Sequence, residues 1–132
     1  RVDRRQRQMC IRDRLSDDDL QRLYDLAIEL GMTPLVEVHT PEEVSRATAL
    51  GARVVGVNAR NLKTLEVDKT IFRELLGELP ENVVKVAESG ILCVDEAVEV
   101  YDLGADAVLV GEMLVRHGEP AQVLRKIHRA TV

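Results

Sequence analysis

The chain's 132 residues predict an α/β protein built on a parallel sheet, and three observations carry that prediction. Four short, apolar, β-branched runs recur: Leu35 to His39, Val54 to Arg60, Val83 to Ile91 and Ala107 to Glu112. Apolar side chains at nearly every position suit strands covered on both faces. The runs alternate with segments of helical periodicity joined by short loops, an order that implies parallel pairing through right-handed crossovers. Each run also ends abruptly in polar residues or glycine. In parallel sheets and barrels the site lies at the C-terminal ends of the strands, so Glu37, Asn58, Arg60, Glu88, Ser89 and Gly111 are expected on one rim.

Residues 1–14 stand apart from this grammar. Six Arg against two Asp give the segment +4, leaving −9 on the remainder, and it has neither helical nor strand periodicity. It reads as a basic disordered or adventitious leader, and residues 15–132 as the domain. Ser16 followed by three Asp opens the first helix, with Leu20, Leu23, Tyr24, Ala27 and Ile28 as its apolar face and Gly31 as its stop. After the first strand, Thr40-Pro41-Glu42-Glu43 forms a capping box, followed by Val44, Ala47 and Leu50 on one face. Asp68 caps a third helix that carries Ile71, Phe72, Leu75, Leu76 and Leu79 and is closed by Pro80. Lys85 is the one position of the third strand that must reach toward an end or edge. Val94, Ala97, Val98 and Tyr101 mark a fourth helix, and Asp106 turns the chain into the last strand. Gly111 opens the short segment Glu112 to Arg116. Glu119-Pro120 opens a final helix with Val123, Leu124 and Ile127 facing inward.

Leu30-Gly31, Leu50-Gly51 and Leu103-Gly104 each close a helix just before a strand, a weak repeat with the βα period. Four strands and five helices amount to half of a TIM (β/α)8 barrel or to a small doubly wound sheet, since a complete barrel takes about 250 residues. Half a barrel leaves two open sheet edges, so self-association through them is expected.

The bulk properties narrow the function. A net charge of −5 and only three aromatic residues argue against a nucleic-acid partner. No apolar run approaches the roughly 18 residues of a membrane span, and no signal-peptide pattern opens the chain. Cys10 and Cys93 lack disulfide or metal spacing, which fits a reducing cytoplasm. His39, His117 and His128 have neither zinc nor triad spacing, and His39 reads as a strand-end loop residue.

Glu37-Val38-His39 before a capping box, then Asn58-Ala59-Arg60-Asn61-Leu62, Ala87-Glu88-Ser89-Gly90 and Gly104-Ala105-Asp106-Ala107 with Gly111, closely resemble indole-3-glycerol phosphate synthase. The resemblance covers residues 16–132 and matches that family's second half. It implies a tryptophan-pathway lyase that closes the indole ring of a carboxyphenylamino deoxyribulose phosphate with loss of carbon dioxide and water, without metal or organic cofactor. Carried onto this chain, it makes Glu37 a general base. Asn58 and Arg60 orient substrate, and Glu88 and Ser89 line the pocket. The backbone of Gly90, Gly111 and Glu112 cradles phosphate, a role a helix start can serve through its free N–H groups.

Two departures bear on activity. The family commonly has a small hydroxyl where Glu112 stands, which leaves a backbone contact but not a side-chain one. The family's acid lysine and second substrate lysine belong to early strands with no counterpart here; Lys63 and Lys69 read as surface residues. The isolated chain is therefore expected to be inactive without the missing N-terminal half of the barrel. A non-catalytic half-barrel that binds a phosphorylated ligand or a partner is the competing expectation.

Overall fold

The computed structural model describes residues 15–116 and 119–131. The leader, with Cys10, and His117 lie outside the described residues. Ten elements follow one another: α1 (Asp17–Glu29), β1 (Val36–Val38), α2 (Pro41–Ala49), β2 (Val54–Asn58), α3 (Thr70–Leu75), β3 (Val84–Glu88), α4 (Val94–Asp102), β4 (Ala107–Leu109), α5 (Glu112–Arg116) and α6 (Pro120–Thr131). The strands form one sheet in the order β1-β2-β3-β4, with every neighbouring pair parallel. This is the expected half of a (β/α)8 barrel. The described helices number six because the short segment after Gly111 is itself a helical turn.

Register and pleat divide the sheet into two unlike faces. Val36, Val38, Val55, Val57, Ala87 and Val108 share the first, where Val38, Val55, Val57 and Ala87 join the buried cluster with Val44, Ala47, Phe72, Leu75, Leu76, Ala97 and Val100 of the helices. Lys85 also points to this face, and its ammonium donates to the Leu76 carbonyl at 3.0 Å, the C-terminal end of α3. The other face corresponds to a barrel's interior and carries Glu37, Val54, Gly56, Asn58, Val84, Val86, Glu88, Ala107 and Leu109. Val84 and Leu109 on it remain about half exposed, at 46% and 53%.

Local chemistry sets the helix ends. Ser16 Oγ accepts from the Asp19 amide, and Thr40 Oγ1 accepts from the Glu43 amide while Glu43 Oε2 accepts from the His39 amide at 2.6 Å. Asp68 Oδ1 accepts from both the hydroxyl and the amide of Thr70, and these two bonds hold its carboxyl below the usual range. The Leu-Gly repeat is a repeated Schellman ending. Gly31, Gly51 and Gly104 take left-handed φ of +71°, +72° and +97°, and the next amides reach back to Ala27, Ala47 and Val100. Asp106 exchanges hydrogen bonds with the backbone of Lys85, which zips the start of β4 onto β3.

Two expectations need correction. No residue of α1 is buried. Its attachment mixes polar and apolar contacts: Asp17 pairs with Arg46 at 2.8 Å, Tyr24 Oη accepts from the Arg53 amide at 3.2 Å, and the half-buried Tyr24 ring packs on the core. In α6, Ile127 is buried and Val123 half-buried, but Leu124 is 50% exposed, because it falls on the flank of the stripe rather than its centre.

Unequal coverage of the two faces has a measurable consequence. Leu75→Ala, on the covered side, is expected to lower unfolding free energy by about 2–5 kcal/mol. Leu109→Ala, on the interior face, is expected to change it by less than about 0.5 kcal/mol. Chemical denaturation of both variants checks this, and equal losses would show that the interior face is buried.

Candidate active site

Parallel register brings the polar strand ends together. Asn58 stands opposite Glu88, and Glu37 stands opposite Gly56, so these three candidate site side chains rise from the interior face of adjacent strands. Asn58 and Glu88 are 3% and 2% exposed, the only two buried polar or charged residues among those described. The Asn58 amide nitrogen donates to Glu37 Oε2 at 3.4 Å, a long contact that ties β2 to β1. Its Oδ1 accepts from the Arg60 amide at 2.9 Å, which fixes the side chain at both ends. The Glu88 carbonyl accepts from the Ala59 amide, so β2 and β3 stay joined just past the strands.

Gly56, to which the sequence reading gave no role, makes room for the Glu88 carboxylate. A Cβ built there would lie 1.7 Å from Glu88 Oε1 and 2.7 Å from its Cδ. A glycine inside an otherwise β-branched strand was the available signal, since such positions mark close approach. His39 also proves more than a loop residue. Its Nδ1 donates to the Asn58 carbonyl at 2.7 Å, joining the end of β1 to the end of β2.

Arg60 opens the long β2–α3 loop rather than joining the carboxylate cluster. Its guanidinium donates to the Leu65 carbonyl at 3.1 Å, and its backbone bridges antiparallel to Val67. Among the described residues no carboxylate pairs with it. Asn61 accepts from the Lys63 and Thr64 amides to turn the loop, and Leu65 completes the turn at φ +63°.

Ser89 and Gly90 leave β3 with consecutive positive φ values of +66° and +73°. For Ser89 that conformation costs roughly 1–2 kcal/mol, the kind of strain that gathers at functional sites. At Gly90 a Cβ would meet Val67 Cγ1 at 2.7 Å, so the β2–α3 loop lies directly on this turn. Because Glu88 pairs with Leu109, β3 and β4 end level, and Gly90 and Gly111 start neighbouring loops. Gly111 and Glu112 are exposed, and the Glu112 carboxylate turns to Arg116 one turn along α5. Lys63 and Lys69 are exposed as expected, but Lys69 is fixed: its ammonium lies 2.6 Å from Glu96 Oε1.

This arrangement holds two carboxylates and an amide on one face, with the left-handed Ser89-Gly90 turn beside them. Among the described residues no group of His, Cys, Asp and Glu could hold a metal, and no helix is long and apolar enough to cross a membrane.

Comparison with known proteins agrees with both fold and residue pattern. The family model for indole-3-glycerol phosphate synthase matches residues 8–127, starting inside the Arg-rich segment. The indole-3-glycerol phosphate synthase of Nocardioides sp. is 54% identical over 113 residues, covering 86% of this chain and 44% of that protein. The Micrococcus luteus enzyme of that name is 50% identical over 118 residues, 89% of this chain and 44% of its own length. The chain thus spans less than half the length of these relatives. Among solved structures, a chain of the Amycolatopsis orientalis BexX/CysO complex superposes with a TM-score of 0.65 at 21% identity, over 88% of this chain and 48% of that one; it supports the fold alone. With the family model covering most of its length and half or more of the aligned residues shared with named members, the chain belongs to the indole-3-glycerol phosphate synthase family.

Proposed function

We propose that this chain supplies the carboxylate half of an indole-3-glycerol phosphate synthase active site and works with a complementary half-barrel that closes the sheet. The observation that carries this reading is the convergence of Glu37, Asn58 and Glu88 on one interior face, with Asn58 bridging to Glu37. In the reaction, the ring carbon bearing the substrate's carboxylate bonds to the sugar ketone carbon. Carbon dioxide then leaves, and the former ketone oxygen departs as water.

Glu37 acts as the base that removes a proton late in the sequence. Asn58, held by Glu37 and the Arg60 amide, and Arg60 orient the substrate. Glu88, given space by Gly56, lines the pocket with Ser89. Phosphate sits at the backbone of Gly90, Gly111 and Glu112, a contact compatible with the Glu112 side chain because that carboxylate is directed at Arg116. The sheet positions on this face bear two carboxylates and no lysine or arginine. Protonating the leaving hydroxyl and neutralising the substrate's carboxylate need a cationic acid opposite them. Arg60 does not serve, since guanidinium holds its proton near neutrality. The edge strands of the described sheet, β1 and β4, offer the pairing surface for strands that bring such groups.

Indole fluorescence tests the reading. The purified chain alone is expected to stay flat, and a separately expressed first half of a family member to restore signal. Glu37→Gln in the restored pair is expected to lose about 10²- to 10⁴-fold in rate. Turnover by the chain alone, or restoration indifferent to Glu37→Gln, overturns it.

In the same restored pair Gly56→Ala isolates the placement of Glu88. The added methyl displaces the far end of a flexible side chain, so folding is expected to survive with a modest loss. Rate is expected to fall on the order of 10²-fold, as for a misplacement near 1 Å. An unchanged rate beside an intact melting profile would remove Glu88 from the machinery.

Phosphate recognition is testable in the chain by itself. Titration with inorganic phosphate is expected to shift the amide resonances of Gly90 and Gly111 above all others, with weak affinity. Evenly scattered shifts exclude the cradle.

A further inference from the structure

The Gly90 turn is braced from outside by residues with no part in the chemistry above. Val67 Cγ1 stands 2.7 Å from where a Gly90 Cβ would be, and the Lys69 stem follows, with its Cε and Cγ at 3.5 and 3.6 Å from the same point. The Lys69 ammonium continues past the turn to Glu96 Oε1 at 2.6 Å, on the first turn of α4. The other oxygen of the same carboxylate accepts from the Leu92 amide at 2.7 Å. One glutamate therefore grips both the lysine lying on the turn and the backbone just beyond it. The bracing loop is itself anchored, because the Asp68 amide donates to the Ala59 carbonyl and Ala59 donates to Glu88.

We propose that Lys69 and Glu96 form a clamp that sets the Ser89-Gly90 turn for anion binding, which makes both positioning residues. The inference rests on the phosphate reading above. Ser89, a non-glycine in the left-handed region, does not keep that conformation through local preference. Something must hold it, and the α4 N-cap Cys93 makes no side-chain capping bond. The Glu96 carboxyl is pulled in both directions. Partial burial raises its pKa, while the bonds from Lys69 and the Leu92 amide, with the lysine's charge, outweigh burial and leave it lowered. The carboxylate is thus ionised and engaged at neutral pH. Lys69 and Glu96 are 44% and 31% exposed, so the pair contributes on the surface-pair scale, worth a few-fold in an equilibrium rather than orders of magnitude.

Two truncations separate clamping from simple charge. Lys69→Met keeps the stem over Gly90 and removes the ammonium. Glu96→Gln keeps an acceptor for the Leu92 amide and removes the charge. If the ions acted on phosphate only through their fields, Lys69→Met would weaken binding and Glu96→Gln, by deleting a nearby negative charge, would strengthen it. A clamp requires both to weaken it.

The expected result, from inorganic phosphate titrations followed at the Gly90 amide, is a Kd about twofold to fivefold higher for each variant. The double variant should be no worse than either single one, as coupled partners require. Amide hydrogen exchange at residues 89–92 should quicken in both, with melting temperature nearly unchanged. Tighter or unaltered phosphate binding by Glu96→Gln overturns the proposal, as do additive losses in the double variant. If the unsubstituted chain shows no shift at Gly90 and Gly111, the phosphate reading has failed; unaltered exchange at 89–92 in both variants then overturns the clamp as well, and faster exchange upholds it.

Discussion

The register between β2 and β3 is the constraint on which the rest of this structure depends. Asn58 lies opposite Glu88 only because Val54 lies opposite Val84, two turns of the pleat earlier. A slip of one residue would send Glu88 into the helix-covered layer and bring Lys85 out to the site face. The hydrophobic pattern forbids that slip. Val55, Val57 and Ala87 have almost no exposed surface against α2, α3 and α4, and each strand has just one set of side chains that can fill that layer. Asn58 and Glu88 are placed by the packing of their neighbours on the opposite face.

This explains what could be read from the sequence. Strands, helix caps and the three Leu-Gly endings have local chemical causes, so the β/α order and the approximate bounds follow from the residues alone. The convergence of Glu37, Asn58 and Glu88 follows too, once the strands are parallel and their ends level. What was not legible depends on distance in the chain. The space that Gly56 leaves for Glu88, the bond from His39 to the Asn58 carbonyl and the pairing of Lys69 with Glu96 each join residues 19 to 32 positions apart. Composition and period carry no record of such partners. An amphipathic helix pattern likewise indicates a face, not its cover, which is why α1 fits its pattern and still has no fully buried residue.

The two faces divide stability from chemistry. On the helix side every strand position is apolar except Lys85, whose charge ends at a helix carbonyl. On the interior side, carboxylates, an amide and a glycine replace apolar side chains at the ends of the strands. A negative pair in a closed, dry barrel would be unfavourable without cations nearby, because low dielectric strengthens repulsion as much as attraction. Carboxylates on this face are thus set by the polar groups that meet them, of which Asn58 is one.

Loops complete the argument, because the site borrows its rigidity from them. Leu65 and Ser89 adopt left-handed conformations without being glycine, and each sits where several backbone bonds or packed side chains hold it. Arg60 holds the first through the Leu65 carbonyl, and Val67 presses on the turn that follows the second. Strain at Ser89 is thus opposed by a contact supplied from the neighbouring β2–α3 loop, whose own left-handed residue, Leu65, is held from within that loop. Loops joined in this way cannot relax independently: loosening the β2–α3 loop would remove the cover from Gly90. Level strand ends therefore do more than align side chains. They bring successive loops close enough to stiffen one another, and a rim of mutually packed loops on parallel strands can then hold donors in place without a core of its own.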